Sequence, residues 1–210
     1  WRKALDKNEH VGCILIDLSK AFDCLPHGLL IAKLHAYGFS ENACSYIQSY
    51  LSERKQNVKI GTTKSNWLSL KTGVPQGSVM GPLLFNIFIN DFILNLQNLC
   101  NVYNYADDNT LSFSHANPEV IKSRLEIASQ AAMTWFMNNF MKANPSKFQA
   151  ICFSKEEISI KYNIDGNIVE SEKVVKLLGV RLDSKLTFNE HVSTICKKAA
   201  RQINVLFSSK

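Results

Sequence analysis

The 210 residues, 46% of them apolar, suffice to bury a full core in one large domain, or in one domain and part of a second. A formal net charge of +6 and a pI of about 9.0 suit a polyanionic partner, but many proteins with neutral ligands share them. The apolar runs are too short to span a bilayer and no secretory signal is visible, so neither a membrane protein nor an exported one is expected.

The six cysteines show no zinc-knuckle or redox spacing, which leaves buried free thiols in a reducing compartment as the expectation. The sequence opens on Trp1 rather than Met and stops in what reads as mid-helix, so it is read as a piece of a longer protein.

Val11 to Asp17 is apolar and branched up to its final carboxylate, the pattern of a central strand. Pro26 opens a helix with Leu30, Leu34 and Tyr37 on one face, and Ser40 caps a second helix to about Leu51. Residues 55–60 and 67–71 read as strands around a turn at Gly61. Gly73 to Ser78 is a loop, followed by an apolar helix from Val79 to Leu96.

Residues 102–113 read as two short strands joined through Ala106, Asp107, Asp108 and Asn109. Pro118 to Phe140 carries a continuous helical stripe that ends on Trp135, Phe136 and Phe140, all expected in the core. Phe148 to Phe153 is a strand, 158–169 a hairpin around Asp165-Gly166, and 174–182 one further strand. A last amphipathic helix carries Phe188, Val192, Ile195, Ala199, Ile203 and Leu206 on one face. The order predicts an α+β fold: an antiparallel sheet with helices packed on one face.

Asp17 ends an apolar strand, and Asp107 and Asp108 sit together in a tight turn. Adjacent carboxylates repel and resist leaving water, so folding alone gives no reason for them. Magnesium removes the problem, and two such ions about 4 Å apart support phosphoryl transfer. A bare Asp-Asp pair is nevertheless more often a plain turn former.

The surrounding residues decide against the turn former. Residues 16–23 (Ile-Asp-Leu-Ser-Lys-Ala-Phe-Asp) resemble motif A of reverse transcriptases. Residues 73–78 with Gly81 to Phe85 resemble motif B, and Tyr105-Ala106-Asp107-Asp108 motif C. Asn144 to Lys147 is similar to motif D and Lys176 to Val180 to motif E, the primer grip. The five stand in the family's order over about residues 10–185, and the continuation from Phe85 to Asp91 resembles the non-LTR (LINE-like) retrotransposon branch.

The resemblance implies a right-hand polymerase palm over 1–185, with partial fingers at about 38–72 and the start of a thumb helix at 186–210. It implies an RNA-directed DNA polymerase acting on an RNA template, a DNA primer and dNTPs. Two magnesium ions (Mg2+, with Mn2+ as the alternative) would be held by Asp17, Asp107, Asp108 and the Leu18 carbonyl. Lys147 would assist at the pyrophosphate. Phe22 would be the steric gate, and Gln76, Gly77, Tyr105 and Ala106 would line the nucleotide site. Leu178 and Gly179 would touch primer.

Asp23 and Asp91 are expected to be caps or turn formers, and the five histidines structural. The resemblance also implies an intracellular protein, nuclear during target-primed synthesis. The segment alone, short of full fingers and thumb, is expected to polymerise weakly or not at all. The alternatives are a catalytically inactive nucleic-acid-binding remnant of a decayed element, and an intron-type or telomerase-like reverse transcriptase.

Overall fold

The computed structural model describes residues 1–208. A short helix α1 (Arg2–Asp6) leads into the central strand β1 (His10–Ile16). Helices α2 (Ala21–Cys24), α3 (His27–Ala36) and α4 (Glu41–Leu51) follow. The Ser40 hydroxyl accepts from the Ala43 amide as the expected N-cap of α4.

An open ribbon comes next. In it β2 (Lys55–Gln56) pairs with β5 (Leu68–Ser69), and β3 (Lys59–Ile60) pairs with β4 (Thr63–Lys64) around Gly61. The long helix α5 (Met80–Leu96) leads to the hairpin β6 (Asn101–Tyr105) and β7 (Asp108–His115), and then to α6 (Pro118–Asn138). Strands β8 (Gln149–Phe153), β9 (Lys161–Ile164), β10 (Asn167–Glu172), β11 (Val174–Leu177) and β12 (Val180–Asp183) precede α7 (Asn189–Ser208).

Six strands form one sheet in the order β6-β7-β1-β8-β10-β9. All neighbours are antiparallel except β8 and β10, which run parallel. Alternation along β1 builds both faces: Ile14 and Ile16 join the larger core, whereas Val11 and Cys13 join a smaller one. Gly12 turns towards α6. A Cβ there would collide with Ile121 and sit 2.9 Å from Leu125 Cδ1, so only glycine lets the helix settle onto the sheet.

The larger core lies under α3, α5 and α6. Phe85, Phe88 and Phe92 of α5 are completely buried, and Phe92 stacks on Phe136 at 4.9 Å while meeting Trp135 edge-on at 5.1 Å. Each such ring contributes about 2–3 kcal/mol by leaving water. Lys33 is buried among them. Its Nζ donates to the Phe88 carbonyl at 2.8 Å and to the two Asp91 carboxylate oxygens at 2.7 and 2.8 Å. Asp91 is therefore no cap or turn former: it lies inside α5 as the counterion of Lys33. Tyr37 leaves the face of Leu30 and Leu34 and is exposed, because α3 ends at Ala36.

On the opposite face, α1 and the β11–β12 hairpin cover Val11, Cys13, Ile151 and Phe153, and Trp1 stacks on Phe153 at 4.9 Å. Residues 174–182 are thus not one strand. Leu178 and Gly179, at φ +47° and +85°, turn the chain back on itself, the geometry of a two-residue hairpin. Phe140 is not core either. Helix α6 stops at Asn138, and Phe140 then takes φ +58° and is exposed. Val192, Ile195 and Ile203 of α7 are exposed as well. Among the described residues no helix is long and apolar enough to cross a membrane.

Candidate active site

Strands β1 and β7 are antiparallel neighbours with Ile16 opposite Asn109. Asp17 follows Ile16 and Asp108 precedes Asn109, so the two carboxylates adjoin the last pair of this ladder. Both line a cleft of about 200 Å³, together with Thr110, Lys147, Lys176 and Leu178. Two carboxylates and two lysines thus line one cleft where the adjacent strands β1 and β7 leave the sheet.

Asp108 opens β7, paired with Tyr105, rather than sitting in the connecting turn as the sequence suggested. The turn itself is Ala106 and Asp107, with Ala106 at φ +53°. Asp107 is half-buried and is not part of the cleft lining. Its charge nevertheless reaches Asp108: burial, then Asp107, then Asp17 push the Asp108 carboxyl above the usual aspartate range. As placed, no group of three His, Cys, Asp or Glu side chains among the described residues is arranged to hold an ion.

Leu18 is buried and bridges to Ala143. Phe22 is partly buried and stacks on Phe85, with centroids 4.3 Å apart and planes at 22°. Its carbonyl accepts from the Val74 amide at 2.9 Å, which ties it to the glycine-rich loop. Gly73 makes that approach possible: it has φ +85°, and a Cβ would lie 2.8 Å from Asp23 Cα.

Gln76 Nε2 donates to Asp23 Oδ1 at 3.0 Å, so Asp23 anchors the loop instead of capping a helix. These two residues share a second cavity of about 570 Å³ with Lys20, His27 and Arg54. Gly77 is exposed at φ +78°. Tyr105, Ala106 and Gly179 do not line the carboxylate cleft. Sequence reasoning assigned Lys176 no role beyond its place in motif E, and assigned Thr110 and Arg54 none. For Lys176 a signal existed, since alternation along 174–177 turns it away from buried Val175.

A mixed sheet backed by helices, with carboxylates where two adjacent antiparallel strands meet its edge, defines a polymerase palm. The chain belongs to the reverse transcriptase (RNA-dependent DNA polymerase) family, whose model matches residues 2–182. It is 29% identical to the probable RNA-directed DNA polymerase from transposon BS of Drosophila melanogaster, over 97% of this chain and 23% of that protein. It is 27% identical to the RNA-directed DNA polymerase from mobile element jockey of the same species, over 92% of this chain and 22% of that protein. Both relatives stand in the non-LTR branch that the sequence resembles. The chain therefore spans less than a quarter of the relatives' length. In fold it is similar to an apo telomerase from Candida tropicalis truncated from its C-terminal domain, with a TM-score of 0.63 at 14% identity, over 90% of this chain and 37% of that one.

Proposed function

We propose that the protein carrying this chain is the RNA-directed DNA polymerase of a non-LTR retroelement, extending a DNA primer with dNTPs on an RNA template. The observation that carries this reading is the pair Asp17 and Asp108 lining one cleft where β1 and β7 leave the sheet, with Asp107 in the adjoining turn. Family membership supports it.

The donor set fits divalent cations. It offers hard carboxylate oxygens whose mutual repulsion a cation relieves. Magnesium is commonly bound by one or two carboxylates plus substrate phosphates, so the side chains need not form a closed cage. Asp17, Asp107 and Asp108, with the Leu18 carbonyl, would hold two magnesium or manganese ions. When bound, these supply activation of the primer hydroxyl and neutralise charge on the leaving pyrophosphate.

The protein groups do the rest. Lys147 and Lys176 set positive charge beside the cleft, and Lys147 Nζ can give a proton to the leaving pyrophosphate. The stack on Phe85 fixes the Phe22 ring, which suits a gate closing the space of a ribose 2′-hydroxyl. Gln76, Gly77, Tyr105 and Ala106 serve the incoming nucleotide, and Leu178 and Gly179 at the β11–β12 tip serve the primer.

Residues 38–72 act as fingers and the chain from 186 as thumb. Within the fingers, residues 54–71 carry Arg54, Lys55, Lys59, Lys64 and Lys71 with no acidic residue, and Trp67 is exposed. That composition suits the phosphates and bases of a single-stranded template. Synthesis primed on chromosomal DNA would make the protein nuclear when it acts.

The test is primer extension by the full-length protein on an RNA template. Asp108→Asn should abolish extension and leave RNA binding intact. Equal extension by parent and variant would overturn the reading. A parent that binds primer–template but never extends it would identify an inactive remnant instead.

A further inference from the structure

We infer that Asn109, with Asn104 opposite it, is a positioning residue that fixes the turn bearing Asp107 and Asp108. The inference rests on the role given above to those carboxylates. Asn109 is 1% exposed and follows Asp108 directly in β7, with Ile16 of β1 on one side and Asn104 of β6 on the other. It therefore belongs to the hairpin that presents the other two acids and pairs with the strand that leads into Asp17.

Asn109 Nδ2 donates to the Asp107 carbonyl at 2.8 Å. The turn it grips is under strain, because Ala106 holds φ +53°, a conformation that costs any residue with a Cβ. A side-chain bond to the second turn residue offsets that cost and selects one arrangement of the turn. Without it, Asp107 and Asp108 would swing relative to Asp17.

A purely structural origin for these amides is disfavoured by their surroundings. The next cross-strand pair on the same face is Val102 with Leu111, both apolar and part of the core. At the Asn104–Asn109 pair, Asn109 Oδ1 and both side-chain amide atoms of Asn104 are buried without a protein partner. Buried amide atoms left so oppose folding. Packing alone would favour another apolar pair, yet carboxamides occupy the step nearest the carboxylates. Such costs concentrate where geometry serves a reaction.

Two substitutions in the full-length protein separate the donor from the packing. Asn109→Leu keeps the volume and removes the donor, whereas Asn109→Thr puts a hydroxyl donor in place of the carboxamide. For Asn109→Leu we expect kcat for primer extension to fall roughly tenfold, as for misplaced reacting groups. KM for dNTP should be unchanged, the melting temperature held or raised, and amide hydrogen exchange accelerated over residues 105–109 alone. Asn109→Thr should restore most of both losses. An unchanged kcat with unchanged exchange in Asn109→Leu would overturn the inference, as would a lowered kcat that Thr does not rescue. A parent without extension, whose exchange still follows the donor, would sustain the positioning role and remove the polymerase reading.

Discussion

Behind the sheet, the rings of α5 and α6 and the buried Lys33 charge find close partners, although the Ser129 hydroxyl of α6 is buried without one. Phe85, Phe88 and Phe92 are completely buried, and the Lys33 ammonium finds a carbonyl, two carboxylate oxygens and the faces of Phe88 and Trp135. The carboxylate end of the same sheet is built the other way. Like charges adjoin, Ala106 and Leu178 hold left-handed backbone, and buried amides go unpartnered. The first region supplies the stability that lets the second keep features opposing folding. Changes behind the sheet should therefore alter how much protein is folded, and changes at its end how well folded protein works.

Phe88→Ala tests that division most severely. It should cost about 3–5 kcal/mol in denaturant unfolding, while extension per folded molecule stays at the parent level. Asp17→Asn should do the reverse. Extension falls roughly 100- to 1000-fold, by analogy with lost transition-state stabilisers, and the melting temperature holds or rises because a charge repelling Asp108 is gone. A melting loss as large as that of Phe88→Ala would erase the contrast.

Lys33→Met sharpens it further. The apolar stem is kept and Asp91 loses its counterion, but that carboxylate is 37% exposed and regains water. We expect a loss of about 1–2 kcal/mol by thermal unfolding, below the figure for a fully buried pair. The smallest effect belongs to Asp183→Asn, below about 1 kcal/mol, the scale of one helix-cap contact. Burial raises the Asp183 carboxyl, but hydrogen bonds from the Thr187 and Phe188 amides, the Thr187 hydroxyl and the Lys185 amide outweigh it and hold it below the usual value. Its contribution is present above the usual aspartate range and lost as pH falls through the lowered one. Unfolding of parent and variant should converge in acid; a gap that persists there would show that the charge plays no part.

Features read from the sequence were those written in neighbouring residues. The carboxylate ending β1, the Ser40 cap and the Asp165-Gly166 turn each rest on a few adjacent side chains with a local physical reason. The hairpin at Leu178-Gly179 escaped because its first turn residue is a leucine, and the apolar run from Val174 to Leu182 hides the reversal. Phe140 fitted the helical stripe although the helix had already ended. The Lys33–Asp91 pair joins residues far apart in sequence, and nothing near either one announces it. At the site, the motifs singled out the carboxylates, but not that Asp17 and Asp108 line one cleft with Lys147 and Lys176, which depends on how the strands and the β11–β12 hairpin pack.

The register of β1 also sets a timetable. His10 pairs with His115 and Val11 with Phe153, so this early strand waits for most of the sequence before either edge is satisfied. On the ribosome its apolar run stays an open template for stray pairing until Phe153 has emerged. The β6–β7 hairpin can close locally while it waits, so insertion of β1 between β7 and β8 is expected to be late and slow in folding. Nascent chains halted before that point should lean most heavily on chaperones.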